Sequence, residues 1–446
     1  MVLVLIVLQT FSLDASLAPG LSVKNALLYV TALSLLVRIV LSGRFKLQLV
    51  GLQGCFLFLL AYATVSWLVA LLAIKYPDYE FLTSAIALKN GLFDHAIFFL
   101  VFFYAAQTLD DALAVTDALL FGVVFANVVT VLDASGVLGW NIIPVRTEYA
   151  SEMGRVQGAF GESNQHSAVV VLLLPAMFSK AMLSRGVWRL FWAVGALFAV
   201  AAVFMTASRG AMLAILLAGV WGAFVFRRFI SLGKLTGWIG VSALVVSIVL
   251  VALSATYTQL LTERVFSLSF GGSAADATSG RTEIWATAVR VMAEAPWTFL
   301  TGFGWNVYSS MDFEYAPHNT FLGLWFNLGL PGLLAFLLVL VQAMFNARSA
   351  AEVAPAAQRP YMVAFVIGFM ALCISIFFVE LSEPWLYVWA YVGLSMRAAI
   401  SIREQAAAAS AAPVARPEMS AGPRIGRRSP LAATARLSPS SGRMRR

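Results

Sequence analysis

Long apolar runs follow one another along most of the chain and determine its predicted architecture. Most of these runs hold about 17 to 25 residues, the length of an α-helix that crosses a bilayer. A backbone exposed to lipid must satisfy its own hydrogen bonds, so helices are the expected spanning elements. Twelve spans are predicted, at residues 1–13, 22–41, 49–73, 86–107, 112–134, 165–183, 187–207, 210–226, 235–256, 319–345, 361–381 and 384–400.

The first of these runs, residues 1–13, is shorter than the roughly 20 residues that the hydrocarbon core requires. A cleaved signal peptide is the weaker interpretation because no basic segment precedes the apolar one. We therefore predict a span here as well.

Composition agrees with a polytopic membrane protein whose fold is all-α. Hydrophobic residues make up 61 % of the chain and charged residues 12 %, about half the charge of an average soluble domain. The predicted transmembrane bundle covers residues 1–400. Cys55 and Cys373 both fall inside apolar spans, which argues against a disulfide framework, a cysteine zinc site and a thiol nucleophile.

Basic residues in the short connections predict the orientation of the bundle. Lysine and arginine concentrate in cytoplasmic loops, and here they occupy alternate connections: residues 44 and 46, residues 180, 185 and 189, residues 227, 228 and 234, and residues 348 and 359. The acidic pair Asp110 and Asp111 interrupts the pattern. The remaining clusters agree, so both termini are predicted to be cytoplasmic.

Two long connections, residues 135–164 and 257–318, then lie on the outer side. Within the second, Gly280 to Pro296 has helical periodicity, with Ile284, Ala288 and Val291 on one face. We therefore predict a helical periplasmic cap.

The C-terminal segment, residues 401–446, differs in composition from the bundle. It carries nine arginines against two glutamates and is rich in Ala, Ser and Pro. This composition predicts a disordered, basic cytoplasmic tail that faces lipid headgroups, and a nucleic-acid partner is not expected.

Several arginines lie on the outer side, against the expected charge bias. They are Arg146, Arg155, Arg209, Arg264, Arg281 and Arg290. Guanidinium groups bind phosphate in a bidentate manner and stay charged at any relevant pH, so a cluster would suit a diphosphate headgroup. Pairing with nearby glutamates is the alternative, and we favour it for Arg264 and Arg290. Arg209 lies in a two-residue break between spans and is the strongest functional candidate.

Three histidines occur in the chain. His95 lies among Phe and Ile inside a span, where a structural role is expected. His166 follows the polar stretch Gly161–Gln165 and stays ambiguous. His318 is preceded by Pro317, which favours an extended residue before it, and followed by Asn319, a good helix N-cap. His318 is therefore a candidate base that takes a proton from a hydroxyl nucleophile.

Other catalytic motifs are missing from the sequence, including phosphate-binding loops, HExxH, CxxC and GxSxG. Asp-x-Glu pairs occur at Asp78–Glu80 and Asp312–Glu314. Two carboxylates are only a weak indication of a divalent cation.

Four groups of outer-face motifs resemble the O-antigen ligase and polymerase superfamily. They are Phe160–Asn164, Ser208–Gly210, Gly280–Trp285, and Gly302–Gly304 followed by Pro317–Leu322 and Asn327–Gly329. Their order and spacing fit this superfamily, and the resemblance covers roughly residues 150–335.

The resemblance implies a GT-C-like membrane glycosyltransferase in the bacterial inner membrane, with its active site facing the periplasm. Its donor would be a glycan linked through diphosphate to undecaprenol. Arg209 and Arg281 would contact the diphosphate, and His318 would act at the acceptor hydroxyl. Arg146, Arg155, Asn164, His166 and Asn319 are the further candidates for substrate binding. The resemblance also implies a reaction without metal or cofactor.

Among the possible activities we favour the ligase that transfers O-antigen to lipid A–core oligosaccharide. An O-antigen polymerase would use the same donor and a second polyprenyl-linked glycan as acceptor. A protein O-oligosaccharyltransferase would use a Ser or Thr hydroxyl. A transporter of the lipid-linked glycan is the alternative from another class; internal repeats, which transporters often show, are not evident here.

Overall fold

The computed structural model describes residues 1–10, 16–42, 51–136, 155–229, 240, 280–311, 313, 316–381 and 385–411. Helices hold 81 % of these residues and there is almost no sheet among them, which confirms the all-α prediction. The helices are α1 (Val2–Thr10), α2 (Val23–Ser42), α3 (Leu52–Val69), α4 (Phe81–Leu88), α5 (Asp94–Ala105), α6 (Leu109–Ala134), α7 (Ser163–Leu183), α8 (Gly186–Met205), α9 (Arg209–Val225), α10 (Arg281–Glu294), α11 (Thr298–Thr301), α12 (Thr320–Val353), α13 (Arg359–Ser375) and α14 (Trp385–Ala411). A short antiparallel hairpin, β1 (Ser16–Ala18) and β2 (Leu21–Ser22), precedes α2.

Seven stretches of the described chain are helical, long and apolar enough to cross a membrane. They are Val23–Ser42, Leu52–Ile74, Phe81–Ala105, Leu109–Ala134, Ser163–Leu183, Gly186–Met205 and Thr320–Val353. The shorter apolar helices α9 and α13 coincide with two more predicted spans, and α14 coincides with the twelfth. The protein is therefore a multi-pass membrane protein.

Two of the twelve predicted spans need separate comment. Helix α1 has nine residues, and at about 1.5 Å per residue it is too short to cross a hydrocarbon core of about 30 Å. The predicted span 235–256 lies outside the described residues, apart from residue 240.

The centre of the bundle is the contact between α7 and α13. Helix α7 is buried on nearly all sides, and the carbonyl oxygen of Leu172 lies only 1.9 Å from the position that a Cβ on Gly368 would occupy. Glycine at position 368 therefore allows the two backbones to approach closely, as small residues do between membrane helices.

Two π-helical turns interrupt the N-terminal spans. Ala70–Ile74 extends α3, and Lys89–Phe93 joins α4 to α5. Lys89, the first residue of the second turn, pairs through Nζ with Asp94 Oδ2 at 3.0 Å. Asn25 and Tyr29 of α2 also donate hydrogen bonds to Asp94. The charges inside the apolar segment thus neutralise each other.

Helix α12 contains a break at Gly329, whose φ of 62° and ψ of −165° are not helical. Pro331 has no N–H group, so the carbonyl of Asn327 loses its helical donor. The loop after α11 supplies the missing donors, since Phe303 N bonds to Phe326 O and Gly304 N bonds to Asn327 O, each at 2.9 Å. The cap and the interrupted helix are therefore joined by backbone hydrogen bonds.

The acidic pair that interrupted the charge pattern has a local explanation. Thr108 and Asp111 form a capping box at the start of α6, in which each side chain accepts from the other's backbone N–H at 3.0–3.1 Å. Negative charge is stabilising at a helix N-terminus. Helix capping thus accounts for this departure without any change of orientation.

The described part of the cap is helical, as predicted. Helix α10 begins at Arg281 and ends at Glu294, close to the predicted limits, and buries Ala288 and Met292.

The last helix extends into the segment predicted as the tail. Helix α14 continues to Ala411, so residues 401–411 are helical, and a disordered tail stays a prediction for the rest of that segment. The alanine-rich stretch Ala406–Ala409 favours this continuation. The chain forms one compact unit over Met1–Ala406, and a second unit, Ala407–Arg446, follows; residues 412–446 lie outside the described part.

Candidate functional site

A hydrogen-bonded group joins the segment before α7 to the turn before α9. Arg155 donates from Nε to Thr206 O and from Nη2 to Asn164 Oδ1, each at 3.0 Å. Ser208 Oγ donates to the same amide oxygen at 3.1 Å. Two of the predicted residues, Arg155 and Asn164, thus lie together beside the motif that contains Arg209.

Arg209 is the first residue of α9 and is half-buried. The turn in front of it is tight, because Ala207 has a left-handed φ of 49° and Thr206 and Ser208 are buried. Gly210 lies against Phe378, whose Cβ is 3.0 Å from the position of an added Cβ. The start of α9 therefore packs against the segment that follows α13.

His318 lies in the turn that leads into α12. Its φ of 48° is left-handed, an uncommon conformation for a residue other than glycine. Asn319 caps the helix, as the sequence predicted, because its Oδ1 accepts from Phe321 N and Leu322 N at 3.0 Å. Thr320 then binds the carbonyls of Ile376 and Val379, which fixes this turn to the segment after α13. Asn319 is buried, and its side-chain oxygen is occupied by the cap.

The cap helix α10 reaches the same turn from the other side. Trp285 Nε1 donates a hydrogen bond of 2.8 Å to Pro317 O, and its ring meets the edge of Phe377 with centroids 5.5 Å apart. Arg281 lies four residues before Trp285, on the same face of α10. The three motif regions around Arg209, Arg281 and His318 are thus connected through residues 376–379.

The surroundings of His318 favour its neutral form. Burial and the positive charge of Arg281 lower the pKa of the imidazole, while the Glu162 carboxylate raises it to a smaller extent. His318 therefore lies within electrostatic reach of both Arg281 and Glu162. A neutral imidazole can accept a proton.

Glu380, which was not among the predicted site residues, lies beside this turn. A Cβ on Gly323 would be 3.3 Å from Glu380 Oε1 and 3.4 Å from Pro317 Cγ. Burial raises the pKa of the carboxyl group to about 7. Burial of Tyr308 and, to a smaller extent, the negative charge of Glu380 raise the pKa of the Tyr308 hydroxyl to about 12. Helix α13 ends at Ser375, so Glu380 lies in the segment that follows the helix. The signal in the sequence was an acidic residue that closes a long apolar run.

The other two histidines are enclosed by protein. The imidazole of His166 is fully buried and stacks on Phe160 with centroids 5.1 Å apart, and Gly158 has no room for a side chain against it. Contact between His166 and a substrate would require this segment to move. His95 is buried in α5, as expected for a structural residue.

The remaining candidates are distributed as follows. Arg146, Arg264 and the pair Asp312 and Glu314 lie outside the described residues, whereas Arg290 is exposed on α10. Among the described residues, no group of three or more His, Cys, Asp and Glu side chains is arranged to hold a metal ion.

Residues 194–337 match a family model described as O-Antigen ligase. The match covers α9, α10, α11 and the first half of α12, and thus the motifs that contain Arg209, Arg281 and His318; Phe160–Asn164 precedes it. It confirms the resemblance to the O-antigen ligase and polymerase superfamily. Comparison with curated proteins finds no match.

Proposed function

We propose that this protein, which resembles the O-antigen ligase and polymerase superfamily, transfers O-antigen from undecaprenyl diphosphate to lipid A–core oligosaccharide. The family match over residues 194–337 supports a glycosyltransferase-like enzyme of the O-antigen pathway that acts on lipid-linked glycans in a membrane. The reaction would take place on the periplasmic face of the bacterial inner membrane.

In this proposal the arginines stabilise the leaving group. When the bond between the anomeric carbon and the diphosphate oxygen breaks, the electron pair stays on that oxygen, and negative charge develops there. Arg209 and Arg281 would neutralise this charge, with Arg155 supporting the α9 end of the site through Thr206 and Asn164. Donors aimed at a developing charge contribute strongly where water is scarce.

His318 would act on the acceptor. As a hydroxyl of the terminal core sugar attacks the anomeric carbon, its proton passes to the neutral imidazole. A new glycosidic bond replaces the bond to diphosphate in one displacement, so the anomeric configuration inverts. The products are the glycosylated core, undecaprenyl diphosphate and a proton that His318 returns to solvent.

One observation carries this proposal: Trp285 of α10 donates a hydrogen bond to the carbonyl of Pro317, directly before His318, and Arg281 lies one turn before Trp285 on the same helix. A cation that binds the diphosphate and a base that binds the acceptor hydroxyl are thus neighbours. Displacement requires this arrangement, since the nucleophile and the leaving group share one carbon atom.

The decisive experiment incubates purified protein with a polyprenyl-diphosphate glycan and lipid A–core. Glycan on the core would identify a ligase, and longer polyprenyl-linked chains would identify a polymerase. Transfer to Ser or Thr of an added protein acceptor would identify a protein glycosyltransferase. Donor that is moved across a vesicle membrane but never consumed would replace the proposal with transport. We expect product on the core, with or without a chelator.

A further inference from the structure

Trp285 is the link between the cap helix and the turn that carries His318. Its indole N–H bonds to the carbonyl of Pro317, the residue directly before His318, at 2.8 Å. Pro317 has no N–H group of its own, so the carbonyl is its only backbone hydrogen-bonding group. The indole therefore holds the turn on the side that Asn319 and Thr320 do not reach.

The conformation of His318 needs such support. A left-handed φ of 48° is unfavourable for a residue other than glycine and persists only where contacts with the surrounding structure impose it. Asn319 and Thr320 hold the backbone after His318 through the helix cap and the bond to Ile376 O. Trp285 is the corresponding contact before it.

The position of the indole is itself determined from two sides. Arg281 and Trp285 lie one turn apart on α10, so any movement of this helix displaces both side chains together. Phe377 contacts the indole ring in an edge-to-face arrangement, and Thr320 ties this same segment to α12. The distance between Arg281 and His318 thus depends on the Trp285 contacts.

We propose that Trp285 is a positioning residue that holds the His318 imidazole beside the Arg281 guanidinium. The inference rests on the proposed function for its catalytic consequence, but its geometric part can be tested without any reaction. Trp285 does not touch the reacting atoms in this scheme; it acts through Pro317.

The test compares Trp285→Phe with a matched control, Trp325→Phe. Trp325 Nε1 also donates to a cap carbonyl at 3.0 Å, but its partner is Phe299 O and not Pro317 O. Both variants lose one indole–carbonyl bond and keep an aromatic ring. A role confined to cap stability would make them behave alike.

The first measurement follows carbethoxylation of His318 by diethyl pyrocarbonate across pH, read by mass spectrometry of the full-length protein. The chain has three histidines, and the other two are buried, so the His318 peptide is well distinguished. Arg281 and Glu162 remain in both variants. Burial and Arg281 together lower the pKa of His318 by more than Glu162 raises it. Release of the turn in Trp285→Phe should therefore raise the pH at which the rate of His318 modification is half-maximal. The same pH should stay unchanged in Trp325→Phe.

The second measurement is steady-state transfer. Misplacement of a catalytic group by about 1 Å lowers the rate by up to roughly a hundredfold. We expect kcat of Trp285→Phe to fall by roughly ten- to a hundredfold with KM for the donor nearly unchanged, and Trp325→Phe to stay within about twofold of the wild type.

The outcomes separate the two proposals. An unchanged midpoint in Trp285→Phe, or an equal shift in Trp325→Phe, would overturn the positioning role. A wild type that consumes no donor would overturn the proposed function, while the titration still decides the role of Trp285. If Trp285→Phe does not fold, Phe377→Leu takes its place, because it keeps the indole and removes its ring contact. We expect a smaller upward shift in the pH midpoint of His318 modification in this variant. An unshifted midpoint would count against the proposal.

Discussion

Asn164 accepts a hydrogen bond of 3.0 Å from Arg155, and the same oxygen accepts one of 3.1 Å from Ser208. Asn164→Ala removes the acceptor for both donors. Since a hydrogen bond to a charged group contributes about 1.5–3 kcal/mol, we expect a loss of stability of this order and slower transfer. Thermal unfolding in detergent and the transfer rate measure the two effects. Asn164→Asp, which keeps the acceptor oxygens, is the control and should retain stability; equal losses in both variants would contradict this account.

Removal of the proposed catalytic side chains should abolish transfer without unfolding the protein. His318→Ala, Arg209→Ala and Arg281→Ala each remove a group that acts on the developing charge or the proton, so we expect losses of at least about a hundredfold. The matched control for Arg281 is Arg290→Ala, since Arg290 lies on the same helix and is exposed. Full activity of His318→Ala in a reconstituted assay would remove the base from the mechanism.

Glu380 should make stability depend on pH. The pKa of Glu380 in the folded protein is about 7, compared with an ordinary value of 4.5. The contribution of Glu380 to the free energy of unfolding is therefore fully present below pH 4.5. It is lost as the pH rises through about 7, because the carboxyl group ionises less favourably in the folded state. Across this pH range we expect the unfolding free energy of the wild type to fall by at most about 3 kcal/mol relative to that of Glu380→Gln. Unfolding midpoints that run parallel in the two proteins from pH 4.5 to 8 would argue against a raised pKa for Glu380.

Packing of α7 on α13 should depend on Gly368. A methyl group at this position would meet the Leu172 carbonyl at 1.9 Å, so Gly368→Ala must separate the two helices. We expect a loss of at least about 1–3 kcal/mol, as for other overpacked sites, measured as a lower unfolding temperature in detergent. Gly219→Ala is the control, because its Cβ would meet nothing within 4 Å and alanine favours the helix.

The predicted orientation can be measured by cysteine labelling in a chain whose Cys55 and Cys373 are replaced by serine. Glu80→Cys lies in an exposed connection predicted to be periplasmic, and Ala357→Cys in one predicted to be cytoplasmic. A thiol reagent that cannot cross the inner membrane should label position 80 in whole cells and position 357 only after lysis. The reverse pattern would place the site on the other face.

The positions of most helices, and of several helix ends, could be predicted from local sequence patterns. Apolar length predicted the spans, periodicity and Pro296 predicted α10, and an asparagine before an apolar run predicted the N-cap of α12. Each of these depends on neighbours within a few residues along the chain. This explains why the prediction was close for Arg281–Glu294 and Asn319.

The features that the sequence did not predict depend on distant contacts. Gly329 and Pro331 allow a break in α12, but the break persists because Phe303 and Gly304 supply the missing donors. The proximity of Glu380 to Pro317 likewise depends on how α13 packs, as does the burial of His166 beneath Phe160. Residue patterns identified the motif residues, but the contacts between them come from tertiary structure.

The break at Gly329 divides α12 mechanically. The residues before Gly329 share backbone hydrogen bonds with the loop after α11, and the helix as a whole packs against α3 and α13. Gly329 lies close against the backbone of Leu300 and Gly302. A substitution in the loop after α11 would therefore reach the N-terminal half of α12, which begins next to His318, through backbone contacts alone.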